Sequence, residues 1–167
     1  MYEEQEDVKR LMSGWRVVLM IWGAILASLG VYLIVCLNIG TALQVNIAPD
    51  FPITTVKYAL FGVACVTVLA VYGLRKFLLN PDRSGGTPAR TTSAQHPAIT
   101  KYTTVVVITS ALLESIGIYG VVLFLLAKDT RSLYQLLIIS AAAMIYFRPR
   151  KEELFSLAEQ MKKYRQN

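Results

Sequence analysis

Long apolar runs separated by short polar segments make up most of this chain. They cover residues 17–37, 53–74, 103–126 and 132–147. A helix needs roughly 20 apolar residues to cross the hydrocarbon core of a bilayer, and the first three runs reach that length. The last run is shorter, so we expect it to begin at Ser132 or earlier, or to cross where the bilayer is thin. The pattern predicts an all-α, polytopic membrane protein with four transmembrane helices arranged as two helical hairpins.

The polar segments predict the remaining organisation. Residues 1–16 form an N-terminal segment without the features of a cleaved signal peptide. Residues 80–100 are rich in Gly, Pro, Ser and Thr, which predicts a flexible loop. Residues 148–167 form a tail with helical spacing of apolar positions, which predicts an amphipathic C-terminal helix. The helix either lies on lipid headgroups or docks onto a cytoplasmic partner. Its apolar positions are Leu154, Leu157, Ala158, Met161 and Tyr164.

Charge is distributed unevenly along the chain. All but three of the 17 Lys and Arg residues fall before the first run, in the second connection or in the tail. Basic residues collect on the cytoplasmic side of membrane proteins, so both termini and the loop at 80–100 are predicted to be cytoplasmic. The net charge of +6 is explained by these segments and does not require nucleic-acid binding. The acidic start and the lack of an Arg-rich presequence favour a bacterial inner membrane.

Residues that could carry enzyme or metal chemistry are sparse. Cys36 and Cys65 lie in or beside apolar runs without a ligand spacing, and His96 sits alone in the predicted loop. Zinc-protease, serine-hydrolase and phosphate-loop motifs do not occur in the sequence. The sequence therefore predicts no catalytic residue, no metal, no cofactor and no enzymatic activity.

Two of the runs share an internal repeat. Residues 24–35, AILASLGVYLIV, and residues 111–122, ALLESIGIYGVV, carry the same residue at six of twelve positions. A shared Ser, Gly and Tyr at fixed spacing suggests that one helical hairpin was duplicated. The first and third helices would then run in the same direction, related by an axis along the membrane normal.

Small residues fall on one face of each copy of the repeat. At about 100° per residue, three small residues lie close to one central position in each copy, and such faces let helices approach closely. We therefore predict helix packing through these faces. The first copy has Gly23, Ala24 and Gly30 around Ala27, and the second has Ser110, Ala111 and Gly117 around Glu114.

Glu114 is the one carboxylate inside an apolar run. An ionised carboxylate at mid-bilayer costs at least a few kcal/mol, and no Lys, Arg or His lies at a matching depth in another run. Two interpretations stay open. The carboxyl is neutral and hydrogen-bonded, or it takes up and releases a proton or sodium ion. The candidate partners are Ser110, Ser115, Ser28, Thr67 and a backbone carbonyl.

The sequence around Glu114 resembles a known motif. Residues 111–120, ALLESIGIYG, are similar to the carboxylate helix of the proteolipid c subunits of rotary ATP synthases, which has the form A-L-x-E-x-x-x-I-Y-G. The resemblance covers about twelve residues and implies that Glu114 is an ion-binding carboxyl. Duplicated proteolipids that have lost one carboxylate give a parallel for Ala27.

Two functions follow from these observations. The first is a structural or accessory subunit of a membrane complex, with the Glu114 carboxyl serving in packing. The second is a proteolipid-like protein that moves protons or cations through Glu114. The expected partners in both cases are the lipid bilayer and either other membrane proteins or further copies of the chain.

Overall fold

The computed structural model describes residues 2–39, 52–79 and 97–166, and these ranges contain five α-helices and no strand. The predicted all-α fold is confirmed. The helices are α1 (Tyr2–Ile39), α2 (Ile53–Leu79), α3 (Pro97–Ala127), α4 (Thr130–Tyr146) and α5 (Lys151–Gln166).

Three segments are long and apolar enough to cross a membrane: Lys9–Asn38, Ile53–Leu79 and Ala98–Ala127. The fourth predicted span differs from these. α4 has 17 residues and qualifies only when it is joined to Lys151–Met161 across a bend of 50°. At about 1.5 Å per residue, a helix of that length falls short of a hydrocarbon core of about 30 Å. The described residues therefore contain three or four helices that could span a membrane.

Several boundaries differ from the prediction. α1 begins at Tyr2, so the polar N-terminal segment continues directly into the first apolar run. α3 begins at Pro97, where a fixed φ and a missing N–H suit the first helical position. The predicted loop therefore ends before residue 97, and its remaining part, with His96, lies outside the described residues.

The helices alternate in direction. Contacts between α1 and α3 pair Gly14 with Ile99 and Leu29 with Gly117, so the two helices are parallel. α2 and α4 are also parallel to each other, because Lys57 bonds to Asp129 and Arg75 bonds to Phe147. In each pair the second residue lies 72 positions later in the chain. One end of the bundle thus carries Asp129 with the start of α2. The other end, which we call the basic end, carries Arg75, the starts of α1 and α3, and α5.

α3 lies at the centre and packs against every other helix. Its buried residues Leu113, Ile116 and Leu123 belong to a core shared with α1, α2 and α4. Near the basic end, Tyr102 and Val106 belong to a second core that includes α1 and α5. The helix that carries Glu114 is therefore also the helix on which the others assemble.

The described helices expose apolar side chains and bury small polar ones. Leu69 is 72% exposed and Val66 is 65% exposed, whereas Ser132 and Ser140 are completely buried. Ser140 donates to the Leu113 carbonyl oxygen at 2.7 Å, which satisfies its hydroxyl between α3 and α4. A large apolar exterior suits contact with lipid, and small residues inside let helices pack closely.

α5 buries most of its apolar positions inside the chain. Leu154, Leu157 and Ala158 form a core with Leu11 and Val18 of α1 and with the first turns of α3, and Met161 packs against that core. The Lys151 ammonium lies 4.5 Å from the centre of the Trp15 ring, which adds a cation–π contact. The predicted C-terminal helix is present, and these apolar positions, predicted to meet headgroups or a partner, pack within the chain. The side chain of Tyr164 lies outside the described residues.

Candidate functional site

Glu114 lies near the middle of α3 and is half-buried at the contact with α1. Tyr32 donates its hydroxyl to Glu114 Oε1 at 2.7 Å, and Ser28 Oγ lies 2.5 Å from the same oxygen. Ser28 and Tyr32 are four residues apart, which places both side chains on one face of α1. The carboxyl of one repeat thus meets two hydroxyls of the other.

Ser28 also bonds within its own helix. Ser28 Oγ lies 2.6 Å from the Ile25 carbonyl oxygen, so its hydroxyl has two acceptors within reach, that carbonyl oxygen and Glu114 Oε1. The hydroxyls of Ser28 and Tyr32 therefore converge on a single oxygen of the Glu114 carboxyl.

The other hydroxyls proposed for Glu114 bond elsewhere. Ser115 donates to the Leu112 carbonyl oxygen at 2.7 Å, and Thr67 donates to the Val63 carbonyl oxygen at 2.8 Å. Ser110 is buried, but among the described residues the side chains bonded to the carboxyl are Ser28 and Tyr32. A serine inside a helix easily reaches a carbonyl oxygen of its own helix, which is what Ser115 does.

The predicted small-residue packing occurs at Gly117 and not on α1. A Cβ added to Gly117 would lie 2.6 Å from Leu29 Cδ2, so α1 approaches α3 closely there. At Gly23 and Gly30 an added Cβ would meet nothing within 4 Å. Ala24, Ala27 and Ala111 are exposed. The reason is rotation: α1 turns Ser28, Leu29 and Tyr32 towards α3, which leaves its small residues outside.

A second polar cluster at the basic end is centred on Arg75. Basic side chains at the end of an apolar helix usually extend to the headgroups, but Arg75 is 8% exposed and turns inward. Its guanidinium donates to the carbonyl oxygens of Phe147 and Arg148, and it pairs with Glu153 at 2.6 Å. Arg75 therefore binds the carbonyls at the end of α4 and holds α5 through a carboxylate.

Tyr102 completes this cluster from α3. The fully buried side chain places its hydroxyl 3.0 Å from the Arg150 carbonyl oxygen and 3.1 Å from a Glu153 carboxylate oxygen. The Arg150 backbone N–H donates to the same hydroxyl at 2.9 Å. The turn between α4 and α5 is thus fixed from α2 by Arg75 and from α3 by Tyr102.

The opposite end has an ion pair. Lys57 donates to Asp129 at 2.7 Å, and Asp129 accepts from both the backbone N–H and the hydroxyl of Ser132. Asp129 is the N-cap of α4. The Lys57 hydrogen bond, followed by those of Ser132, holds the pKa of Asp129 well below its usual range. A capping aspartate before an apolar run was a readable signal in the sequence.

The described residues contain no group of three or more His, Cys, Asp or Glu side chains arranged to hold a metal ion. Cys36 is buried and Cys65 is exposed, and both are free thiols. Comparison of the chain with protein-family models, with characterised proteins and with solved structures gives no match.

Proposed function

We propose that this chain is an integral protein of a bacterial inner membrane, with both termini cytoplasmic, and that it serves as a structural or accessory subunit of a membrane complex. The apolar exterior of the helices and the collection of basic residues at one end of the bundle support the membrane placement. The alternating helix directions put the start of α1 and the tail at that same end.

The observation that carries the proposal is the pair of hydrogen bonds between Glu114 and α1. Ser28 and Tyr32 both bond to Oε1 of the carboxyl from within the chain. A neutral carboxyl avoids the cost of a charge in the hydrocarbon core and links α1 to α3, so its role is to hold two helices in register. A link of this kind needs no ion and no second substrate.

The outward face of α1 supplies the place for a partner. Ala24, Ala27 and Gly30 are exposed, and small residues of this kind allow a second helix to approach closely in a bilayer. Among the described residues, no atom lies within 4 Å of a Cβ added at Gly30, so the face is open there. We therefore assign it to another membrane subunit or a second copy.

The test is purification of the tagged full chain in a gentle detergent. We expect the wild-type chain to copurify with other membrane subunits or as an oligomer, and Ala27→Leu to abolish this association. Ala59→Leu, at an exposed position of α2, is the matched control and should have no effect. The proposal would be contradicted if the two variants behaved equally, or if the wild-type chain always purified as a monomer without other subunits.

A second function, proton or cation movement through Glu114, is favoured by one specific observation. Tyr32, Glu114 and Ser28 form a continuous row of proton-bearing oxygens, and the carboxyl is only half-buried. Such a row could pass a proton to a neighbouring subunit. The resemblance of residues 111–120 to proteolipid c subunits points in the same direction.

Glu114→Gln separates the two functions. The amide has the shape of the carboxyl, and its oxygen in the place of Oε1 can accept from both Ser28 and Tyr32, but the amide cannot release a proton. The structural function predicts unchanged assembly and thermal stability. Proton flux in proteoliposomes that the wild type shows and Glu114→Gln lacks, together with sodium-sensitive carbodiimide labelling of Glu114, would establish ion movement instead.

A further inference from the structure

Two open hollows lie between α2 and α4 on the outside of the bundle, and we call them together the α2–α4 crevice. The first hollow is lined entirely by apolar residues or Cys65. Phe61, Ala64, Val68 and Leu69 contribute from α2, and Ile139 contributes from α4. Because α2 packs mainly on α3, the two walls are only lightly in contact with each other.

The second hollow of the crevice lies at the basic end. Tyr72 and Lys76 of α2 line one side, and Tyr146, Arg148 and Arg150 line the other. Tyr72 and Tyr146 are exposed, as tyrosines at a membrane–water boundary are. The chemistry of the crevice therefore changes from apolar to aromatic and cationic along its length.

Three cations in the second hollow are available to a ligand. Arg75 also faces it, but its guanidinium is already engaged by Glu153 and the two carbonyl oxygens. Lys76, Arg148 and Arg150 are exposed, and none of them forms an ion pair with a carboxylate of the described residues. The hollow therefore has a net positive charge.

The two hollows follow one stripe of each helix. Val68 and Tyr72 are four residues apart on α2, and Ile139 and Tyr146 are seven apart on α4, so each pair lies on one face. An apolar groove that ends in aromatic and basic residues matches the shape of a lipid, with an acyl chain joined to a phosphate. Basic pockets between membrane helices on the cytoplasmic side suit anionic headgroups.

We propose that the α2–α4 crevice binds one anionic glycerophospholipid of the cytoplasmic leaflet. The headgroup phosphate lies among Lys76, Arg148 and Arg150, and an acyl chain follows the apolar hollow past Ile139. The bound lipid fills the gap between α2 and α4. In the middle of the bundle these two helices are connected only through their contacts with α3. This inference rests on the proposed membrane placement.

The test is native mass spectrometry of the full chain in a nonionic detergent, titrated with phosphatidylglycerol or phosphatidylcholine. We expect phosphatidylglycerol to bind at least tenfold more tightly. Near an anionic partner each cation contributes about fivefold in affinity, so Lys76→Gln, Arg148→Gln and Arg150→Gln together should reduce phosphatidylglycerol affinity about a hundredfold. The control combines Lys128→Gln, Arg131→Gln and Lys163→Gln, three exposed cations outside the crevice, and should change it less than about threefold.

A second pair of variants tests the contact between the acyl chain and the apolar hollow. Ile139→Trp fills the apolar hollow without changing charge and should weaken phosphatidylglycerol binding about tenfold. Ile138→Trp changes the neighbouring residue, which is 65% exposed and outside the hollow, and should not. If the two tryptophan variants have equal effects, or if millimolar inorganic phosphate displaces the lipid, the crevice binds a simple anion and not a lipid.

Equal affinity for the two lipids in the wild-type chain would overturn the lipid site without any variant. That result would leave the membrane placement intact. A chain that stays folded and monodisperse without detergent would instead overturn the membrane placement itself.

Discussion

Alanine at Gly30 and alanine at Gly117 are the same change at matching positions of the internal repeat, and the structure predicts opposite effects. Both glycines lie inside helices, where alanine is favoured over glycine by roughly 0.5–1 kcal/mol. An added Cβ at Gly30 meets nothing within 4 Å. Gly30→Ala should therefore stabilise the isolated chain by about that amount.

At Gly117 the same gain is opposed by crowding. The added Cβ would lie 2.6 Å from Leu29 Cδ2 and 3.3 Å from Leu137 Cδ2, so at least the first side chain must move. Overpacking of this kind costs roughly 1–3 kcal/mol, and the lower part of that range applies because a leucine tip can adjust. Gly117→Ala should therefore be between neutral and about 1.5 kcal/mol destabilising, which makes it about 1–2 kcal/mol less stable than Gly30→Ala.

Reversible unfolding in mixed micelles of detergent and dodecyl sulfate, followed by circular dichroism, measures both free energies of unfolding. The Leu29→Ala variant lacks the obstructing atoms, so Gly117→Ala added to that variant should become stabilising. A gain at Gly117 equal to the gain at Gly30 in the unmodified chain would refute the close approach of α1 and α3.

Three further perturbations have expected outcomes. Because the folded-state pKa of Asp129 is depressed, the stability from its pair with Lys57 is present above the unfolded value of about 4 and is lost as pH falls through the lower folded value. In thermal unfolding in nonionic detergent near pH 6, the free energy of unfolding of the wild type should exceed that of Asp129→Asn by about 0.5–1 kcal/mol, and this difference should shrink below pH 4. A difference that does not depend on pH would contradict this. Lys128 has a φ of 53°, so Lys128→Gly should stabilise by about 1 kcal/mol, and Lys128→Ala, which keeps the strain, should not. Arg75→Met should destabilise by roughly 2–3 kcal/mol and make α5 sensitive to protease, whereas Glu153→Gln, which keeps a hydrogen-bond acceptor, should cost about 1 kcal/mol; equal costs would argue against the carbonyl contacts of Arg75.

The candidate site was only partly readable from the sequence. Glu114 and the hydroxyl of Ser28 were identified as a carboxyl and one of its candidate partners. Tyr32 was missed, although it lies four residues after Ser28 and recurs with it in the repeat, which was the available signal. The buried position of Arg75 was not predictable, because nothing in the neighbouring sequence indicates that its guanidinium bonds to two carbonyl oxygens and to Glu153.

What the sequence determined by itself was the set of helices, because helix length and continuous apolarity are local properties. It also determined which end of the bundle is basic, since alternating spans sort charge by position in the chain. The tertiary structure decided how each helix is rotated. That rotation turned Ser28 and Tyr32 of α1 towards Glu114 and left Ala27 outside, and it folded α5 back onto α1 and α3. Rotation depends on side chains far apart in the chain that fit together, and periodicity along one helix does not specify it.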